Sequence, residues 1–247
     1  MKFSFQHNKL VTIDQDFTFP YDSCLMKPQD LKSPYRWKDR KPLLEDRVFY
    51  VPDYYDKYQE FLLPDWNTIF ENDKPVIIEY CSGNGTWLAE KAKDQTKNWI
   101  GVEWRFERVR KIWSKMKNFG LPNLFIISGE AQTFTREYLS ASSIDGIYIN
   151  FPDPWPKDKH AKNRLFQEPF ISELARITKS GGTVTVVTDD PPYSDQICRE
   201  MLSHPEWESD FPAPHYVTEW EGYGTSYFDT LWREKGKVIH YFQFRRK

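Results

Sequence analysis

The chain has 247 residues, 39% of them hydrophobic and 28% charged, with a formal net charge of −2. This length suits one large α/β domain with an extension better than two domains. No apolar run approaches the roughly 18 residues that cross a bilayer, Met1 to Phe5 lacks the apolar run of a signal peptide, and the acidic balance excludes a uniformly basic nucleic-acid binder.

Residues 1–60 are punctuated by Pro20, Pro28, Pro34, Pro42 and Pro52, without a sustained period of 2 or 3.6. They read as a partly irregular N-terminal extension, with the folded domain at 61–247. Val76-Ile77-Ile78 is a short apolar run that reads as a buried parallel strand ending in Glu79. A small-residue turn, Tyr80 to Gly85, leads to a helix expected from about Thr86 to Lys93. Trp99 to Val102 reads as the second strand and ends in Glu103. The next helix carries Val109, Ile112, Trp113 and Met116 at one-face spacing, so those four belong in the core. Leu124 to Ile127 is the third strand, followed by Ser128-Gly129-Glu130-Ala131, and Ile144 to Phe151 is the fourth. Arg164 to Thr178 has helical spacing, and Ser180-Gly181-Gly182 is expected to stop that helix. Thr183 to Val187 is the fifth strand, ending in Thr188-Asp189, and Val238 to Phe244 should close the sheet as an antiparallel strand. Strands alternating with helices predict a doubly wound, mostly parallel sheet with helices on both faces.

In such a sheet the strand ends share one edge. Glu79, Glu103 and Glu130 would lie there with Asp153 and Asp189. Five carboxylates in phase repel one another unless cationic or donor-rich ligands lie between them. The stretch Asn150-Phe151-Pro152-Asp153-Pro154-Trp155-Pro156-Lys157 adds three prolines within five residues. Proline fixes φ and has no N–H, so this segment is a stiff loop at a strand's C-terminal end, where α/β sheets bind ligands. An acid, a large aromatic and the cations Lys157, Lys159, Lys162 and Arg164 suit a nucleic-acid base and its phosphates. A second run of positive charge, Arg105 to Lys117, has no candidate site beside it in sequence. Three scattered cysteines, Cys24, Cys81 and Cys198, form no metal-type pair. Neither a metal site nor a structural disulfide is expected, and a reduced cytoplasm is.

The glycine turn lets backbone N–H groups approach a ligand at a helix N-terminus, and Glu103 is placed to accept from two ribose hydroxyls. These two features suit a nicotinamide dinucleotide and S-adenosylmethionine alike, although Gly83-x-Gly85 is not the full dinucleotide fingerprint. Glu79-x-Cys81-x-Gly83-x-Gly85 resembles the cofactor loop of class I S-adenosylmethionine-dependent methyltransferases. Phe151 to Lys157 with His160-Ala161-Lys162-x-Arg164-Leu165 resembles the signature of the TrmB-type tRNA (guanine-N7-)-methyltransferases, and Thr188-Asp189 and Thr218-Glu219-Trp220-Glu221 are similar to further pieces of that family.

The resemblance covers about residues 75–247. It implies a Rossmann-like fold with a seven-stranded sheet, and methyl transfer from S-adenosylmethionine to a guanine N7 in the tRNA variable loop, position 46 in tRNA numbering. It implies Glu79, Gly83, Gly85, Glu103, Glu130, Ala131 and Asp153 at the cofactor, with Asp153 as the active-site acid. Lys157, Lys159, Lys162, Arg164, Asp189, Thr218, Glu219, Trp220 and Glu221 are then expected at the tRNA. Three positions depart from the pattern: Cys81 for Gly, Glu130 for Asp, and Asn163 for a basic residue. Thr218-x-x-Glu221 also spells a helix capping box. Asp190-Pro191-Pro192-Tyr193 spells the motif of amino-group methyltransferases but follows the fifth strand rather than the fourth. The competing readings are an amine methyltransferase, a non-catalytic RNA-binding subunit and a nicotinamide-dependent oxidoreductase. Oligomeric state has no signal in the sequence.

Overall fold

A computed structural model describes residues 25–35 and 40–247, with the backbone of Ser4–Gln6 (β1) and Lys9–Val11 (β2), which pair as a separate antiparallel ribbon. Pro20 and Cys24 lie outside the described residues, as does most of the first half of the expected extension. The strands that follow are Leu43–Glu45 (β3), Val48–Tyr50 (β4), Val76–Tyr80 (β5), Asn98–Glu103 (β6), Leu124–Ser128 (β7), Ile144–Asn150 (β8), Thr178–Thr188 (β9), Trp207–Ser209 (β10) and His240–Arg246 (β11). The helices are Trp66–Phe70 (α1), Thr86–Lys91 (α2), Phe106–Asn118 (α3), Ala131–Tyr138 (α4), Glu168–Ile177 (α5), Pro191–Ser203 (α6) and Tyr227–Glu234 (α7).

One nine-stranded sheet has the order β10-β11-β9-β8-β5-β6-β7-β4-β3. From β9 to β4 the strands are parallel; β11, β10 and β3 are antiparallel to their neighbours. The sheet has nine strands where the resemblance implied seven; six of them are those placed in the sequence, and three are additional. The sheet takes in β3 and β4, inside the stretch read as extension, and β10 lies beyond the last strand. Each of these three spans only three residues, too short to show a period.

Side chains along each central strand alternate between two cores. Ile78, Tyr80 and Ile100 join the helix residues Phe134, Phe170, Leu174 and Ile197 on one face. Ile77, Trp99 and Ile126 join Leu88, Val109, Ile112 and Met116 on the other. The four core positions expected on α3 are all buried.

Helix α5 ends at Ile177, before the glycine pair expected to stop it. Thr178 is already extended, and its Oγ1 donates to Leu174 O at 2.7 Å, closing the last turn. The glycines instead lie inside β9, where pairing jumps from Ile144–Thr178 to Gly146–Thr183.

Candidate active site

The C-terminal ends of β5, β6, β7 and β8 meet at one edge, and the expected acids sit there. Glu79 is only 2% exposed. Its Oε1 accepts from Asn150 Nδ2 at 2.7 Å, and Asn150 Oδ1 accepts from Tyr223 OH at 2.9 Å. Its Oε2 is buried without a partner among the described residues. Burial therefore pushes the Glu79 carboxyl up to about 7, against the Asn150 hydrogen bond that lowers it.

The turn after β5 runs through three residues with positive φ: Cys81 (61°), Gly83 (57°) and Gly85 (68°). Gly85 opens α2, and a Cβ there would lie 2.6 Å from Ile112 Cγ1 of α3. The close packing of loop on helix thus requires glycine. Cys81, which stands where the resembled pattern has glycine, occupies the left-handed region all the same, a strain typical of ligand sites. Gly83 N donates to Glu103 Oε2 at 2.9 Å, and Arg105 N donates to Glu103 Oε1 at 2.9 Å. Burial raises the Glu103 carboxyl while these backbone donors and Arg108 oppose the rise. Glu103 thus holds the glycine turn and the entry to α3 together.

Glu130 caps α4: its carboxylate accepts from Gln132 N at 3.0 Å and Thr133 N at 2.6 Å. It still lines a cavity of about 250 Å³ with Glu103, Trp104, Ala131, Asp153 and Trp155. A smaller cleft of about 50 Å³ is lined by Glu79, Gly83, Gly85, Asn150 and Phe228, and Cys81 borders both spaces.

The proline loop turns sharply at Phe151 and Trp155, whose φ values are 49° and 42°. Phe151 packs on Phe228 of α7, and the edge of Trp155 meets His160. A 3₁₀ turn, Asp158–Asn163, follows and carries exposed Lys159 and Lys162; Lys157, exposed too, precedes it. None of these three lysines pairs with a carboxylate among the described residues. Arg164 faces inward instead. It donates to Pro154 O at 2.7 Å and Gln196 Oε1 at 2.6 Å and stacks over Tyr193, tying the loop to α6.

Asp189 pairs with Lys237 at 3.4 Å. Thr218 and Glu219 are held by Arg233, which donates to Thr218 O and Glu219 Oε1, both at 2.9 Å. Trp220 packs against Phe211 and Tyr241. No helix starts at Thr218, so the capping box does not form; Trp220 is extended and a 3₁₀ turn begins at Glu221. That turn ends in Tyr223, whose hydroxyl reaches Asn150. The segment expected at the tRNA is therefore linked to Glu79 through one buried chain.

Sequence reasoning gave no role to Asn150, Tyr223, Trp104 or Phe228. Asn150 carried a signal, a polar residue closing an apolar strand. Tyr223 carried none, being 144 positions from Glu79 with its partner set only by the fold.

A family model described as "Putative methyltransferase" matches residues 73–240. A tRNA (guanine-N(7)-)-methyltransferase of Chlamydia muridarum is 50% identical over 223 residues, covering 90% of this chain and 99% of that protein. The chain belongs to the tRNA (guanine-N7)-methyltransferase family. A Streptomyces avermitilis protein of the same name is 31% identical over 191 residues, covering 74% of this chain and 63% of that protein. The solved structure of the 16S rRNA methyltransferase KamB aligns with TM-score 0.54 at 13% identity, covering 80% of this chain and 96% of that one; it bears on the fold alone.

The residues present fit the cofactor of this methyltransferase family, S-adenosylmethionine. Glu79 Oε2 is a buried acceptor without a donor, as a cationic ligand bearing N–H groups would require. Glu103 stands at the end of the second central strand, as a ribose partner should. The D-P-P-Y tetrad is spent on structure: Asp190 Oδ1 accepts from Tyr193 N at 2.8 Å and caps α6, while Tyr193 is buried. Among the described residues no group of three His, Cys, Asp or Glu could hold a metal ion, and no helix is long and apolar enough to cross a membrane.

Proposed function

We propose that this chain methylates N7 of one guanine in the tRNA variable loop, position 46 in tRNA numbering, with Asp153 as the active-site acid. The observation that carries the reading is the cavity shared by Glu103, Asp153 and Trp155, with Lys157, Lys159 and Lys162, which meet no carboxylate among the described residues, on the adjoining loop. S-adenosylmethionine, held by Glu79, Gly83, Gly85, Glu103, Glu130 and Ala131, supplies a sulfonium-activated methyl group. Guanine N7 has a free lone pair and no proton, so the protein needs no general base. Its task is alignment, which converts binding energy into rate. The methylated ring becomes cationic, and the Asp153 carboxylate stabilises that charge as it develops. By accepting from the guanine N1–H and N2–H₂ edge it also selects guanine over adenine, which lacks those donors. The three lysines hold phosphates, Trp155 offers a stacking face, and Thr218 to Glu221 with Asp189 form the opposite rim. tRNA in the cytoplasm is the working substrate.

The test is transfer from labelled S-adenosylmethionine to an unmodified tRNA transcript, with the product mapped by cleavage specific for 7-methylguanine. Cleavage at a single variable-loop guanine, lost when that base is changed, is the expected result. Label on an exocyclic amine would overturn it. Asp153→Asn should bind cofactor as the wild type does and lose at least tenfold in kcat; full activity would remove Asp153 from the mechanism.

A further inference from the structure

Helix α3 carries a row of cations that the sequence left without a site, and the row starts next to the cavity-lining Trp104. Arg105 precedes its first turn, and Arg108, Lys111 and Lys115 recur every three or four residues, which stacks them along one side. The row is tied to the site at both ends. Arg108 lies 3.7 Å from Glu103, and Lys115 Nζ donates at 2.8 Å to the carbonyl of Asn84 in the glycine turn. Among the described residues no carboxylate pairs with Arg105, Lys111 or Lys115. Trp104, 64% exposed, stands at the head of the row with the Arg105 guanidinium 5.1 Å from its ring centre. Trp104 and Trp155 line the same cavity, each beside a row of cations. Exposed tryptophan flanked by unpaired positive charge suits single-stranded nucleic acid, because stacking holds bases and cations hold phosphates.

We infer that Arg105, Lys111 and Lys115, with Trp104, form a second RNA-binding bank across the cavity from Lys157 to Lys162, gripping the phosphates on the other side of the target nucleotide. This rests on the tRNA reading above. The partner is an RNA strand that crosses the cavity, held from both sides so that one base can be lowered between the tryptophans. A chain with net charge −2 then binds RNA through local rather than overall charge.

The experiment measures the salt dependence of binding of an unmodified tRNA transcript, without cofactor, to the wild type and to Lys111→Gln/Lys115→Gln. Each lost phosphate contact removes ~0.7–0.9 from the slope of log affinity against log salt. The double variant should lose about 1.5 from that slope and bind about tenfold more weakly at 0.1 M salt, while Lys111→Gln alone, which leaves the Lys115–Asn84 contact in place, should lose about 0.8 from the slope and keep the wild-type cofactor affinity. Lys179→Gln, at the opposite edge of the sheet, should leave the slope unaltered. If the wild type methylates tRNA and the double variant keeps the wild-type slope and affinity, the α3 row is only a solvated face; the inference fails and the functional reading stands. If the wild type neither binds nor methylates tRNA, the functional reading fails and takes the second bank with it.

Discussion

Glu79→Gln should flatten the pH dependence of stability in the cofactor-free protein. Burial holds the Glu79 carboxyl at about 7 in the folded chain, against 4.5 ordinarily. Between those values the folded state keeps a proton that the unfolded state releases. The contribution is therefore fully present below pH 4.5 and is lost as pH rises through 7. At about 1.36 kcal/mol for each factor of ten in the proton equilibrium, the wild type should lose roughly 2–3 kcal/mol between about pH 5 and pH 8. For a chain of this size that corresponds to roughly 5–10 °C in Tm. Glutamine keeps the acceptor that Asn150 uses but has no charge to bury, so its curve should lack this slope whatever its constant offset. The assay is denaturant unfolding of both proteins at several pH values. Parallel curves for wild type and variant would refute the claim that burial raises the Glu79 carboxyl in the empty site. A cationic ligand beside Glu79 should draw its proton off, so calorimetric titration with the cofactor near pH 6.5 should show proton release in the wild type and less in the variant.

Tyr223→Phe leaves Asn150 Oδ1 without its donor, so stability should fall by about 1–3 kcal/mol. With the Asn150 amide free to turn, Glu79 loses a fixed donor, and the midpoint of its pH profile should move up; an unmoved midpoint would count against the chain from Tyr223 to Glu79. Gly85→Ala combines a left-handed φ with a Cβ 2.6 Å from Ile112 Cγ1. Urea unfolding should show a loss of roughly 2–4 kcal/mol, and a wild-type midpoint would mean that the turn does not pack on α3 in this way. Cys81→Gly relieves a side chain held at φ 61°. It should be neutral or gain up to ~1 kcal/mol in the same assay, and a clear loss would contradict the strained turn.

The central strands were legible because each is an apolar run that ends in an acid or a small-residue turn. The first strands of the sheet were not. β3 and β4 join through Asp46 and Arg47, both at positive φ, where a hairpin signal would be Asn-Gly or Asp-Gly. Val48, Phe49 and Tyr50 are all buried, so they lack the alternation that marks a one-sided strand. The glycine pair after α5 misled for a related reason: glycine marks both a helix end and an irregularity inside a strand. Only the neighbouring strand, which β9 meets with an interrupted register, decides between them.

At the site, residue type and position along the strand were enough to gather the five acids on one edge, but not to say which way charged side chains face. Arg164, Asp189 and Glu219 read from the sequence like Lys157 and Lys162. In the fold each has a partner distant in the chain: Gln196, Lys237 and Arg233. The two ion pairs among these contribute little energy, yet a guanidinium engaged at two points can fix the path of a loop. That is what Arg164 does for the proline loop and Arg233 for Thr218-Glu219. These residues shape the rim, while lysines that meet no carboxylate among the described residues remain to meet phosphates. The same test, applied to α3, moves Arg105 and Lys111, which meet no carboxylate among the described residues, from solvated face to binding surface. Local sequence cannot apply it, because a side chain is left unpaired only when no distant residue comes back to meet it.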